Sequence, residues 1–419
     1  MNPKRVPPTP ILNNLESIGD PFKRKDFSTA AFFSHGKPPK GSQIDYEYTL
    51  KFLYSYNGSS ATFNAYRREI ERFLQWCWRI EGRSLLLMRR EDIEDYIRFC
   101  ISPPQAWIGT KSTPRFLTVN DKLVVNDEWR PFVVKVRKER FREGISPEKK
   151  DHLLSQSAMK AIFTALSSFY DYLTQEQLLD ANPVSLIRQK SKFLIKTQNI
   201  DVVRRVSNLQ WEYVIDTTER MANEDPEKHE RTLFIMNCLY AMYLRISELV
   251  DDERSTPIMS DFKRDHANHW WFYVTGKGNK SRKIAVCDEM IEALKRYRKS
   301  RGLTLLPTPN DQSPLLPKFK GKGAITSTRQ IRDIVQYCFD TTFERMKEDG
   351  LEEDASDLRT ATVHWLRHTG ISEDVKIRPR EHVRDDAGHN SMQTTDRYIE
   401  SDEHERHASG KAKPIKETF

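Results

Sequence analysis

Residues 231–250, RTLFIMNCLYAMYLRISELV, read as a helix that is apolar nearly all round, and such a helix is stable only when other elements cover it on every side. The stretch closes on Arg245, with Glu248 three residues on. An arginine there commonly snorkels or pairs with a carboxylate such as Glu248, and it could equally face an anion. Next comes HWWFYVTGKGNKSRKIAVC, residues 269–287, two short strand-like runs around the turn Gly276-Lys277-Gly278-Asn279, hence a hairpin. Helical patterns follow to the end of the chain, so the fold class is mainly α with a small antiparallel β-sheet.

Upstream the pattern is also helical. Phe63, Tyr66, Ile70, Phe73, Leu74 and Cys77 recur at helical steps behind the cap candidates in NGSS, and Met159, Ile162, Phe163, Leu166, Phe169, Tyr170 and Leu173 form a second stripe that Pro183 closes. Between them, residues 103–150 differ in character: VNDKLVVNDEWRPFVVKVRKERFREG alternates like strands around Asn-Asp turns and then turns strongly basic. We read it as an insertion in a helical domain spanning 44–185. Residues 1–43, rich in Pro, Lys, Ser and Gly, read as a flexible basic tail, and the basic, weakly periodic stretch 186–208 as a linker to a second domain, 209–400, with a C-terminal tail at 401–419.

The length of 419 residues suits two domains, and a formal charge of +8 suits a polyanionic partner or simply a basic enzyme. Arg130, Lys135, Arg137 and Lys138 in the insertion, with Lys280 and Arg282 beyond the hairpin turn, are candidates for DNA phosphates, although a charge run is more often a solvated face. Five scattered cysteines with no CxxC pair fit buried thiols in a reducing compartment. No apolar run approaches the ~18 residues of a membrane span, and the start MNPKRVPPTP has no secretory hydrophobic stretch. The expected location is the cytoplasm, and a DNA partner would place it at the nucleoid.

Two further stretches carry polar chemistry. In VHWLRHTG, His364 and Arg367 share one helical face and can grip one anion together. His364 and His368 have the spacing of zinc ligands, but Trp365, Leu366 and Arg367 stand where a metalloprotease has its glutamate, so no metal site is expected. In AGHNSMQTTDRYIE, His389 precedes Tyr398 by nine residues. A tyrosine hydroxyl with its ordinary pKa near 10 is phenolate about one time in a thousand at neutral pH, so an attacking Tyr398 needs cations or a base beside it.

Taken in order, Arg245 in LRISEL, Lys277 in GKGNKSR, His364 with Arg367, Gly388-His389 and then Tyr398 resemble the catalytic pattern of the tyrosine recombinases, also called phage integrases. The helices at 44–101 and 152–182 are more loosely similar to the family's core-binding domain. The resemblance implies a two-domain C-shaped clamp on double-stranded DNA, with Tyr398 as nucleophile forming a 3′-phosphotyrosine, Arg245 and Arg367 on the non-bridging oxygens, His389 adding a hydrogen bond, His364 helping to accept the tyrosine proton, Lys277 protonating the 5′-oxygen and Glu248 orienting the network. It implies no cofactor, no ATP and no metal ion. It further implies a site-specific recombinase acting as a homotetramer on two recombination sites, and the length and the insertion at 103–150 favour service to a mobile element. A type IB topoisomerase, a catalytically silent DNA-binding homologue and a metal-dependent hydrolase are the alternatives. Two departures stand out: REHVRDDAGH carries two aspartates where the family has an apolar pair, and DDERSTPIMSDFKRDHANH lengthens the step from Arg245 to Lys277.

Overall fold

The computed structural model describes residues 6–24, 26–33, 37–136, 138–185, 187, 193–194, 204–276, 280–396, 398 and 411. The chain divides into two compact units, Met1–Gln198 and Asn199–Phe419. Each has its own core, and the architecture is mainly helical with small sheets.

The first unit is built on α1 (Ser42–Tyr54), α2 (Ser60–Trp76), α3 (Arg90–Ile101) and α4 (Gln156–Gln175). Helix α2 starts where the Ser59 side chain accepts the amide of Thr62, and it buries Phe63, Ile70, Phe73 and Leu74. Those side chains meet Met159, Ile162, Phe163 and Leu166 of α4, as the two apolar stripes require. The 103–150 segment forms a hairpin of β1 (Phe116–Val119) and β2 (Lys122–Val125), antiparallel, with Leu117 opposite Val124. Its two turn residues, Asn120 and Asp121, both sit in the left-handed region at φ 51° and 57°, the conformation that matches the twist of a tight hairpin.

The N-terminal stretch departs from the flexible tail expected of its composition. Ile11, Leu12 and Ile18 are buried in the core of the first unit, and the buried Glu71 accepts the amides of Ile11 and Leu12 at 2.7 and 2.9 Å. The reason lies in scattered apolar residues, Ile11, Leu12 and Ile18 with Leu15, Phe27, Phe32 and Phe33 packed beside them: they are too unevenly spaced to show as periodicity, but their burial with two satisfied amides holds the segment down.

The second unit begins with α5 (Asn208–Glu224), closed at its start by a capping box of Ser207 and Gln210, so helix begins inside the stretch read as linker. The buried helix α6 (Pro226–Ala241) follows, with Asp225 as its cap and Pro226 in its first turn. It ends four residues before Arg245, because Tyr243 adopts φ 49° and the chain breaks from the helical path there. Arg245 therefore opens a separate turn, Ile246–Glu248, where the sequence suggested it would close the helix. A three-stranded antiparallel sheet comes next, β3 (Phe262–Arg264), β4 (Trp270–Thr275) and β5 (Ser281–Ala285), and its edge strand β3 lies within the step from Arg245 to Lys277. Helices α7 (Asp288–Ser300), α8 (Thr328–Glu348), α9 (Val363–Ile377), α10 (Arg380–Ala387) and the short α11 (Met392–Asp396) complete the unit.

Four cysteines are buried as expected, but Cys287 is exposed, since it sits at the junction of β5 and α7 rather than inside either element. Among the described residues no helix is long and apolar enough to cross a membrane.

Candidate active site

Helix α9 places the first pair. His364 and Arg367 lie one turn apart, and Arg367 points into the protein, 2 % exposed. Its guanidinium donates to the carbonyl of Tyr243 and, at 2.6 Å, to that of Ala387. Burial, followed by repulsion from Arg245, lowers its pKa to about 9, so it remains charged at neutral pH.

Arg367 can sit so close to Tyr243 because α9 and α6 touch at Gly370. A Cβ added there would stand 2.2 Å from the carbonyl oxygen of Tyr240, a backbone atom that cannot swing aside. We predict that Gly370→Ala costs about 3 kcal/mol or more by forcing the helices apart, and that it slows catalysis beyond what lost stability explains. Urea unfolding together with single-turnover cleavage checks this.

Arg245 is held from two sides. Its Nη1 donates to Glu248 Oε1 at 3.0 Å and its Nη2 to the Gly388 carbonyl at 3.3 Å, while its own amide donates to Glu248 Oε2 at 2.8 Å. Both arginines thus take carbonyls from the end of α10, where the last turn leaves acceptors unused and the helix dipole is negative. Gly388, at φ 64°, ends α10 in the left-handed conformation and delivers His389 to the same place.

Arg282, expected on DNA, turns inward instead. It donates to both oxygens of Glu248 at 2.8 and 2.9 Å, and through Nε to the Asp386 carbonyl at 2.9 Å. The strand explains this: Arg282 pairs with Val274, and Ile284 two residues on pairs with Phe272, all on the buried face of the sheet. That alternation was visible in the sequence, and the positive charge masked it. Glu248 consequently sits between two guanidiniums. Burial would raise its pKa, but hydrogen bonds and charge from Arg282, followed by those of Arg245, outweigh it and hold the carboxyl below its ordinary value.

Gly276, the residue before Lys277, approaches this cluster so closely that a Cβ would stand 2.9 Å from Glu248 Oε1. Its amide donates to the Lys280 carbonyl at 2.9 Å. Lys277 itself lies outside the described residues.

Tyr398 is buried, 8 % exposed, in a small apolar group with Tyr243, Ile371, Val383 and Ala387. Its ring stacks on His389 at 5.7 Å and meets His368 edge-on at 5.3 Å, and His368 in turn touches His364 at 4.1 Å. His389 Nδ1 lies 2.9 Å from Thr395 Oγ1, and Arg367 Nη2 lies 3.5 Å from its Nε2. Among the described residues no third ligand joins the two α9 histidines to make a metal site.

The pKa of His364 is lowered to about 4, by partial burial first and then by His368, Arg367 and Arg245; that of His389 is lowered to about 4 by burial, Arg367, Arg245 and Arg282. Both imidazoles are neutral at pH 7. The folded state binds fewer protons than the unfolded chain below the ordinary histidine value, so stability is complete above about pH 6.5 and falls as pH drops toward 4. We predict a lower urea midpoint at pH 5 than at pH 7.5, with a shallower decline for His389→Gln.

The remaining DNA candidates are dispersed. In the first unit Arg130 donates to the carbonyls of its own loop, Asp127 and Trp129; Lys135 is exposed; Lys138 is half-buried; Arg137 lies outside the described residues. In the second unit Lys280 is exposed. The structure therefore gathers Arg245, Glu248, His364, Arg367, His389 and Tyr398 around one spot and adds Arg282, His368 and Thr395, which the motif reading left out of the site.

Comparison with known proteins gives a consistent picture. The phage integrase family model matches residues 204–405. Tyrosine recombinase XerC of Myxococcus xanthus is 26 % identical over 265 residues, covering 60 % of this chain and 73 % of its own length. XerC of Vibrio vulnificus (strain YJ016) is 25 % identical over 252 residues, covering 59 % and 67 %. Among solved structures, the XerH site-specific recombinase bound to palindromic difH substrate superposes with a TM-score of 0.51 at 15 % identity, covering 89 % of this chain and 84 % of that one, which is a likeness of fold.

Proposed function

We propose that this chain, which belongs to the tyrosine recombinase (phage integrase) family and breaks and rejoins DNA at specific sites, does so by transferring a DNA strand onto Tyr398. The observation that carries this reading is the convergence of two guanidiniums, the buried Arg367 and the partly exposed Arg245, on the place where the Tyr398 ring stacks against His389.

In this reading the Tyr398 oxygen attacks the scissile phosphorus and the bond to the 5′-oxygen breaks, leaving a 3′-phosphotyrosine and a 5′-hydroxyl. Arg245 and Arg367 hold the non-bridging oxygens, where fork-shaped donors match phosphate and stabilise the charge of the five-coordinate transition state. Neutral His364 is in the protonation state needed to accept the tyrosine proton, directly or through water, and His389 adds a hydrogen bond to the phosphoryl group. Lys277 gives a proton to the leaving 5′-oxygen. Glu248 keeps Arg245 aimed. The phosphodiester energy is retained in the protein–DNA bond, so rejoining consumes no ATP, and the cations present make a divalent ion unnecessary.

The partner is double-stranded DNA carrying a specific recombination site. Full exchange between two duplexes breaks four strands, and each break consumes one nucleophile, which supports a homotetramer on two sites. The insertion at 103–150 and the chain length support service to a mobile element, with the protein working at the nucleoid in the cytoplasm. The experiment is a suicide duplex nicked beside the cut, so that the short 5′-hydroxyl fragment diffuses away. A covalent adduct that survives denaturant and forms equally well in chelator supports the reading; absence of an adduct with a bound cognate duplex overturns it. Relaxation of supercoiled DNA without strand exchange between sites points to the topoisomerase alternative.

A further inference from the structure

Of the two aspartates that depart from the family's apolar pair, one is exposed and one is not. Asp385 pairs with Arg384 at the surface, while Asp386 is 5 % exposed, and its carboxylate accepts Arg378 Nη2 at 2.5 Å and the amide of Ala285 at 3.2 Å. The other fork nitrogen of Arg378, Nη1, donates to Asp374 Oδ2 at 2.9 Å and to the hydroxyl of Tyr243 at 3.0 Å, and that hydroxyl in turn donates to Asp374.

One guanidinium thus ties together two residues that lie far apart in sequence, and both are attached to the seats of another guanidinium. Arg367 donates to the main-chain carbonyls of Tyr243 and Ala387. Tyr243 is fixed by Arg378 through its hydroxyl, and Ala387 directly follows Asp386, which Arg378 fixes through its carboxylate. Tyr243 also holds φ 49°, a conformation that a tyrosine adopts at a cost and that its 1 % exposed side chain, anchored at the far end, keeps in place.

We propose that Arg378 is a positioning residue for Arg367, acting through Tyr243 on one side and Asp386 on the other to set the two carbonyls that aim the phosphate-holding guanidinium. The proposal rests on Arg367 serving the phosphate during strand transfer onto Tyr398. A fork-shaped cation is required at this point because it must reach two acceptor sets in one plane, which a lysine ammonium cannot do with the same geometry. The second aspartate of the motif is then a working replacement for apolar packing, since it converts a packing contact into a directional one.

The test measures single-turnover adduct formation on the suicide duplex for wild type, Arg378→Met, Arg367→Lys and the double variant, with DNA affinity and thermal unfolding measured in parallel. A displacement of Arg367 by a fraction of an ångström to an ångström slows Arg378→Met by up to ~100-fold while DNA affinity is retained. In the Arg367→Lys background the same change costs less than about threefold, because the group that Arg378 aims is already gone. Arg378→Lys recovers part of the rate. Equal slowing by Arg378→Met in both backgrounds, or no slowing in either, overturns the proposal. Should Arg378→Met fail to fold, Tyr243→Phe removes one bond of the same hub and is expected to show the same dependence on Arg367. Absence of adduct with wild type would instead count against the strand-transfer reading as a whole.

Discussion

Tyr398→Phe forms no covalent adduct with a suicide duplex, while its DNA affinity and unfolding midpoint stay close to wild type. The phenyl ring is retained, so the stack on His389 and the contact with His368 at 5.3 Å survive, and only the oxygen is lost. Removal of an enzyme nucleophile typically costs ~10⁴-fold or more. With the substrate labelled on the 5′ side of the cut, the labelled strand travels with the protein in denaturing gels for wild type and runs free for the variant. Residual adduct in Tyr398→Phe at even a hundredth of the wild-type rate would assign the nucleophile to another residue.

Glu248→Ala is expected to lose both stability and rate. The side chain of Glu248 is fully buried and receives Arg282 twice and Arg245 once, besides the amide of Arg245. Deleting it leaves two guanidiniums beside each other with no carboxylate, and breaking a buried pair from one side costs about 3–5 kcal/mol. Arg245 loses its aim at the same time, for a further rate loss of roughly 100-fold in folded protein. Glu248→Gln keeps the shape and one acceptor oxygen but no charge, so it should fall between. Urea unfolding at pH 7.5 and single-turnover cleavage separate the two effects. Because the Glu248 carboxyl is held below its ordinary pKa, its contribution is complete above the unfolded carboxylate range and is lost as pH falls through the depressed value. An Ala variant as stable and as fast as wild type would mean that Arg245 is held by Gly388 alone.

These two variants also separate chemistry from architecture. In the proposed mechanism Tyr398 contributes an oxygen to the reaction, whereas Glu248 touches no substrate and supports two residues around the site. A rate loss with unchanged stability and a rate loss with reduced stability are therefore the two expected signatures, and the Arg378 variants, which leave the buried Asp386 carboxylate without its cation, should resemble the second.

Much of the molecule could be read directly from residue order. The helical stripes of α2 and α4, the hairpin around Gly276, the Asn120-Asp121 turn and the run from Arg245 to Tyr398 were legible because each depends on neighbours within a few residues, through capping, turn preference and the period of burial. Composition misled where a small minority of residues governs the outcome, as with Ile11 and Leu12 on Glu71. The partner that each charged side chain meets was decided only by tertiary packing. Arg282 faces Glu248 rather than solvent because its strand buries that face, Arg245 begins a new turn because Tyr243 leaves the helix, and Asp386 is tolerated inside because Arg378 reaches it from α9's end. Charge and spacing along a chain identify which groups are available. Some of their partners, such as the Asp386 carbonyl for Arg282 and the Tyr243 carbonyl for Arg367, come from elements more than a hundred residues away, and the burial that makes a pairing strong exists only once those elements have closed around it.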